Sequence, residues 1–142
     1  MKLYKKDILQ VSEKIQIILW LLKKCNITSL IKLSILSEIL YASKNKIIEL
    51  NRHNKKYDYL KNLLLYSGIT PKKLSDGIIV ALDCISILVS SKLIKVVDEK
   101  VFDISDICIV DLDYLTNKTE ESIKMVSKIT DESFFDEVMK YV

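Results

Sequence analysis

The sequence predicts a mainly α-helical domain that carries a winged-helix-like helix plus β-hairpin and closes on C-terminal helices. Apolar residues recur at three- and four-residue steps through most of the chain. Two Gly and one Pro in 142 residues are too few turn formers for a loop-rich sandwich. A helix-length run without Lys or Arg, residues 74–91, leads into residues 93–97, a tight Asp98-Glu99-Lys100 connection and residues 101–104, the order of a helix followed by a short antiparallel hairpin.

Residues 5–25 form an expected amphipathic helix, because Ile8, Leu9, Val11, Ile15, Ile18, Leu19 and Leu22 share one side while Lys14, Gln16, Lys23 and Lys24 lie between them. Residues 26–28 break the pattern. Thr28 is the candidate N-cap of a second helix over residues 29–42, with Leu30, Leu33, Leu36, Ile39 and Leu40 on one side, so the pair is an expected helical hairpin. Residues 43–56 are the most polar stretch and the expected basic loop. Tyr57, Leu60, Leu63 and Leu64 give a third helix that Gly68 ends in the left-handed conformation, and Pro71 marks a turn. The fourth helix is expected over residues 76–90, with Ser75 as N-cap, Asp76 against the dipole and Gly77 in the tolerant first turn. In the second strand Val101 and Phe102 fall on opposite faces. Residues 107–112 read as a further strand or an apolar connector. Residues 116–129 then suit a helix with Ile123, Val126 and Ile129 inward, and Thr130 caps a last short, acidic, amphipathic helix.

The length fits a single domain over residues 1–142, divided into a winged-helix-like helical core (1–105) and an acidic helical extension (106–142). Apolar residues at 49% and charged residues at 29% argue against disorder. A mean hydropathy of +0.19 leaves an apolar excess to bury internally or against a partner. No apolar run is long enough to span a membrane, and the N-terminus lacks a secretory cleavage pattern, so cytoplasmic residence is expected. Cys25, Cys84 and Cys108 form no C-x-x-C pair and are expected as reduced thiols.

Charge is divided along the chain. Up to Lys73 there are 15 Lys and Arg against 5 acids, and from Leu74 onward 7 against 14. A basic first half suits nucleic acid or an acidic protein, or simply solvates helices; Arg52 is the lone arginine, the residue best suited to bidentate phosphate contacts. Arg52, Lys55, Lys56, Lys61, Lys72 and Lys73, interleaved with Tyr57 and Tyr59, form the candidate nucleic-acid contact or else a solvated face.

The residue set offers no catalytic constellation. His53, the single histidine, stands in the polar loop without further ligands or a base, and two glycines cannot build a phosphate-cradling loop. The acid pairs Asp111 with Asp113 and Glu120 with Glu121 suit solvated positions. The expectation is a non-enzyme with no cofactor, no metal site and no small-molecule substrate. The helix over residues 78–89, where a DNA reader would carry its base contacts, offers Asp83 and hydroxyls, with Asp76 just before it, so it suits the core or a protein interface.

Residues 73–88 (K-L-S-D-G-I-I-V-A-L-D-C-I-S-I-L), followed by Leu93-Ile94-Lys95-Val96, a short turn and a second strand, and the closing D-E-S-F-F-D-E-V-M-K-Y-V of residues 131–142, resemble the middle component of three-component ABC systems. These systems include Lamassu-type antiviral defence, with an ATPase similar to the structural-maintenance-of-chromosomes (SMC) proteins and an effector. The resemblance covers roughly residues 58–104 plus the tail, and the Asn-Pro pair near the start of some members is absent here. It implies a non-catalytic adaptor that docks on the ATPase and links it, and nucleic acid, to the effector. The candidate contact surface is then the hairpin and tail, through Ile94, Val96, Phe102, Phe134, Phe135 and Val138. The alternative is a winged-helix DNA-binding transcriptional regulator.

Overall fold

A computed structural model describes residues 5–47, 50, 59–106 and 112–142. Through them run α1 (Lys5–Lys24), α2 (Leu30–Ser43), α3 (Tyr59–Ser67), α4 (Pro71–Ser90), β1 (Ile94–Val97), β2 (Lys100–Asp103), α5 (Asn117–Lys124), a 3-10 turn (Met125–Lys128) and α6 (Asp131–Tyr141). Helices α1, α2 and α4 pack on one another, and the antiparallel hairpin β1–β2 follows α4 directly. The connection between α1 and α2 joins that hairpin. Thr28 accepts the Val101 N–H at 2.8 Å, Leu30 donates to the Glu99 carbonyl at 3.0 Å, and Ser29 bridges Lys100 in antiparallel sense. A three-helix cluster whose first connection pairs with the closing hairpin is the winged-helix outline, here with α3 inserted between the second and third helices of the cluster.

Local chemistry explains where the elements begin. Ser29, not Thr28, caps α2, its hydroxyl accepting from the Lys32 N–H, because the Thr28 carbonyl is committed to the hairpin. Helix α4 starts five residues earlier than the periodicity of its apolar run implies. Thr70 is the N-cap, accepting from the Lys73 N–H at 3.2 Å, and Pro71 takes the first helical position, where its missing N–H leaves no bond unmade. Gly68 ends α3 with φ at +59°, as expected. The hairpin loop has two residues rather than three: Asp98 and Glu99 both take positive φ, as a type I′ turn requires, and Lys100 already pairs with Val97.

The earlier start moves Gly77 out of the first turn and into the helix interior, where glycine costs about 1 kcal/mol relative to alanine. The reason for glycine lies across the helix crossing. A β-carbon on Gly77 would fall on Cγ and Cδ of Glu38 from α2, whose carboxylate pairs with Lys14 of α1. Lys14 is fully buried and Glu38 nearly so, and the three helices therefore meet on one ion pair.

One hydrophobic cluster runs from Ile17, Ile18 and Leu21 through Leu36, Leu40, Leu63 and Ile85 to Ile123, Phe134 and Val138. The acidic segment is thus part of the body. Lys32 of α2 donates to the Ile129 carbonyl and lies 3.9 Å from Asp131, and burial, partly opposed by Asp131, lowers the Lys32 pKa. Thr130 caps α6 as expected, and Thr116, expected as the first residue of its helix, is instead the N-cap of α5. The 3-10 turn over Met125–Lys128 ends the expected long helix early and leaves Ile129 partly exposed rather than inward. Cys25 and Cys84 are buried free thiols, pushed up to about 12 and about 11 chiefly by burial. Cys108 and nearly all of the 107–112 segment, with residues 48–49 and 51–56 of the basic loop, lie outside the described residues.

Candidate protein interface

Helix α4 divides into two faces. Leu74, Gly77, Ala81, Cys84, Ile85 and Leu88 face the core, while Ile79 (59% exposed), Leu82 (42%), Ile87 and Val89 face solvent with Ser75 and Ser86. The helix is therefore both a core element and an apolar surface. Asp76 is exposed and Asp83 partly so, and neither has a Lys or Arg within ion-pair distance among the described residues. The solvent side of α4 thus joins an apolar ridge to two carboxylates without an ion pair among the described residues, with Lys72 and Lys73 exposed in its first turn, and such a ridge suits an apolar counterpart.

The hairpin also has two faces, set by its register. Ile94 pairs with Asp103 and Val96 with Val101 on the inner face, while Lys95 pairs with Phe102 and Val97 with Lys100 on the outer one. Ile94 and Val101 are core residues, so Ile94 is corrected from candidate contact to core, and Val96 lies at the margin of that inner face. Phe102 is 42% exposed, with the Lys95 ammonium 5.6 Å from its ring centre, and Val97 is half-exposed beside it. Lys23 of α1 anchors this unit through Asp103 at 2.8 Å and the Ser105 carbonyl at 3.1 Å. Partial burial raises the Asp103 pKa, but the hydrogen bonds from Lys23 and from the Ser105 N–H and hydroxyl outweigh it, and the net shift is downward.

In α6 the same correction applies to Phe134 and Val138. Their four-residue spacing puts both on the face packed against α3 and α2, fully buried, and leaves Phe135 (47% exposed) and Met139 on the outside. Of the six candidate contacts, Phe102 and Phe135 are clear surface residues. Ile79, Leu82 and Val97 were missed; the helical period points to the first two once α4 is started at Pro71, because they lie opposite Leu74, Ala81 and Cys84.

The basic set is divided. Lys72 and Lys73 are exposed in the first turn of α4, and Lys61 of α3, also exposed, holds its ammonium 5.9 Å from the Tyr141 ring centre. Arg52, Lys55, Lys56 and His53 lie outside the described residues. An open cleft of about 780 Å³ lies between α1 and the end of α2, lined by Gln10, Glu13, Gln16, Tyr41 and Lys44, with Glu13 and Lys44 paired at 2.8 Å. Among the described residues no three His, Cys, Asp or Glu side chains are grouped to hold a metal ion, and no helix is long and apolar enough to cross a membrane. Comparison with family models, curated proteins and solved structures finds no match for the chain.

Proposed function

We propose that this chain is a non-catalytic adaptor subunit that docks on a larger protein, and, following the resemblance of residues 58–104 and the tail, that the larger protein is an SMC-like ABC ATPase of a bacterial antiviral complex. One observation carries the reading: the helix in the DNA-reading position turns Ile79, Leu82 and Val89 to solvent beside Asp76 and Asp83, which have no ion pair among the described residues. Burying such a surface contributes about 25 cal/mol per Å² before association costs, and the adaptor would thereby link the ATPase to its effector. Co-expression of the tagged chain with the ATPase encoded beside it is expected to yield a complex that survives gel filtration. Recovery of the chain alone, as a soluble monomer beside a soluble ATPase, would sink the reading.

A winged-helix DNA-binding regulator is the second reading, favoured by the Ser29–Lys100 bridge and by Lys95 and Lys100 on the outer face of the wing. Lysines on a wing can lie along phosphates without reading bases. That reading expects duplex binding by the isolated chain that weakens steeply as salt rises. Absence of duplex binding at low salt would remove this second reading.

A further inference from the structure

We infer that the solvent face of α4 is a docking seam for one α-helix of a partner protein that is apolar at three- and four-residue steps and basic along one flank. The inference rests on the adaptor reading and names the surface and the chemistry of its counterpart. Ser75, Ile79, Leu82, Ser86 and Val89 follow one another at steps of four, three, four and three, and all five are exposed. That is the spacing of the core positions of a coiled-coil seam, running about 21 Å along the helix, and it matches a second helix better than a strand or a flat surface. The two serines are small enough to let a partner's larger side chains enter.

Beyond the first turn, where Lys72 and Lys73 are exposed, the carboxylates are the charges beside the seam and set the partner's charge. Asp76 and Asp83 are seven residues apart and each directly follows a seam residue, Ser75 or Leu82, so both stand on the same flank, turned away from the body. The opposite flank carries Ile78 and the buried Ile85, which belong to this chain's own packing. A second copy cannot satisfy this arrangement. Antiparallel self-packing would set the two carboxylates against the same two, and parallel self-packing would set them against Ile78 and Ile85. A Lys- or Arg-flanked helix from another protein pairs both carboxylates while covering Ile79, Leu82 and Val89.

The test uses a labelled four-heptad helical peptide with Leu at its seam positions and Lys on both flanks, beside the same peptide with Glu in place of Lys, titrated against the whole chain by fluorescence anisotropy. The Lys peptide is expected to bind at least about tenfold more tightly than the Glu peptide. Asp76→Lys with Asp83→Lys is expected to reverse the preference, and Ile79→Asp with Leu82→Asp to abolish both, with thermal melts unchanged because these side chains are exposed. Failure of the Lys peptide to bind, equal affinity for the two peptides, or a wild-type dimer that Ile79→Asp dissociates would overturn the inference. The peptide assay needs no ATPase. A stable ATPase complex with no peptide binding therefore sinks this seam and spares the adaptor reading, whereas peptide binding with no ATPase complex does the reverse.

Discussion

Gly77→Ala is expected to destabilise the chain by about 2–4 kcal/mol, read as a fall in the urea midpoint without a change of slope. The sign runs against helix propensity, since alanine in place of glycine at an unobstructed helix interior contributes roughly 1 kcal/mol. Here the added carbon lands on the Glu38 side chain, which has to shift, and a shift of that carboxylate weakens its pair with the buried Lys14. Steric displacement of a packed side chain costs about 1–3 kcal/mol, and weakening a buried ion pair adds to it, so the collision outweighs the gain. A midpoint equal to or above that of the wild type would show that α2 and α4 do not approach each other this closely.

Lys14→Met is expected to cost about 3–5 kcal/mol, the largest single-residue effect foreseen, because it leaves the Glu38 carboxylate buried without its counter-ion. The double substitution Lys14→Met with Glu38→Leu is expected to recover most of that loss, since two apolar side chains of similar volume need no desolvated charge. Chemical denaturation of the two single variants and the double variant would measure the coupling directly. Additive losses would mean that the pair is not coupled at this crossing. The Lys44 ammonium, 4.6 Å from the Tyr41 ring and paired with Glu13, is a separate partly exposed contact and serves as the mild control.

These two residues also show what the sequence could and could not say. Periodicity gave α1, α2 and the hairpin to within a residue or two, because each apolar stripe faces one core and the period survives in the letters. It misplaced the start of α4, because Thr70-Pro71 serves equally as a turn and as a cap followed by the first helical position. With that start went the meaning of Gly77, which is fixed by Glu38 from another helix and leaves no local trace. The interface was half legible for the same reason. Phe134 and Val138 are as apolar in the letters as Phe135 and Met139, and only the packing of α6 on α2 and α3 separates core from surface. Likewise Ile94 and Val97 are equally apolar in the letters, and only the packing of the hairpin on the body separates the inner face from the outer one.

The ion pair and the surface belong to one design. Lys14, Glu38 and Gly77 lock the inner side of α4 onto α1 and α2, so the helix can present Ile79, Leu82 and Val89 without collapsing over them. An apolar ridge held rigid in this way loses little conformational entropy on docking, which favours association for a given buried area.

Hydroxyl-radical footprinting of the chain, alone and in complex with the co-expressed ATPase, tests the central claim most directly, because it reads side-chain exposure residue by residue. Oxidation of Ile79, Leu82 and Val89 is expected to fall several-fold in the complex while Phe134 and Val138 stay equally protected in both samples. Unchanged oxidation of the α4 ridge in the complex, or its protection by duplex DNA instead, would contradict it.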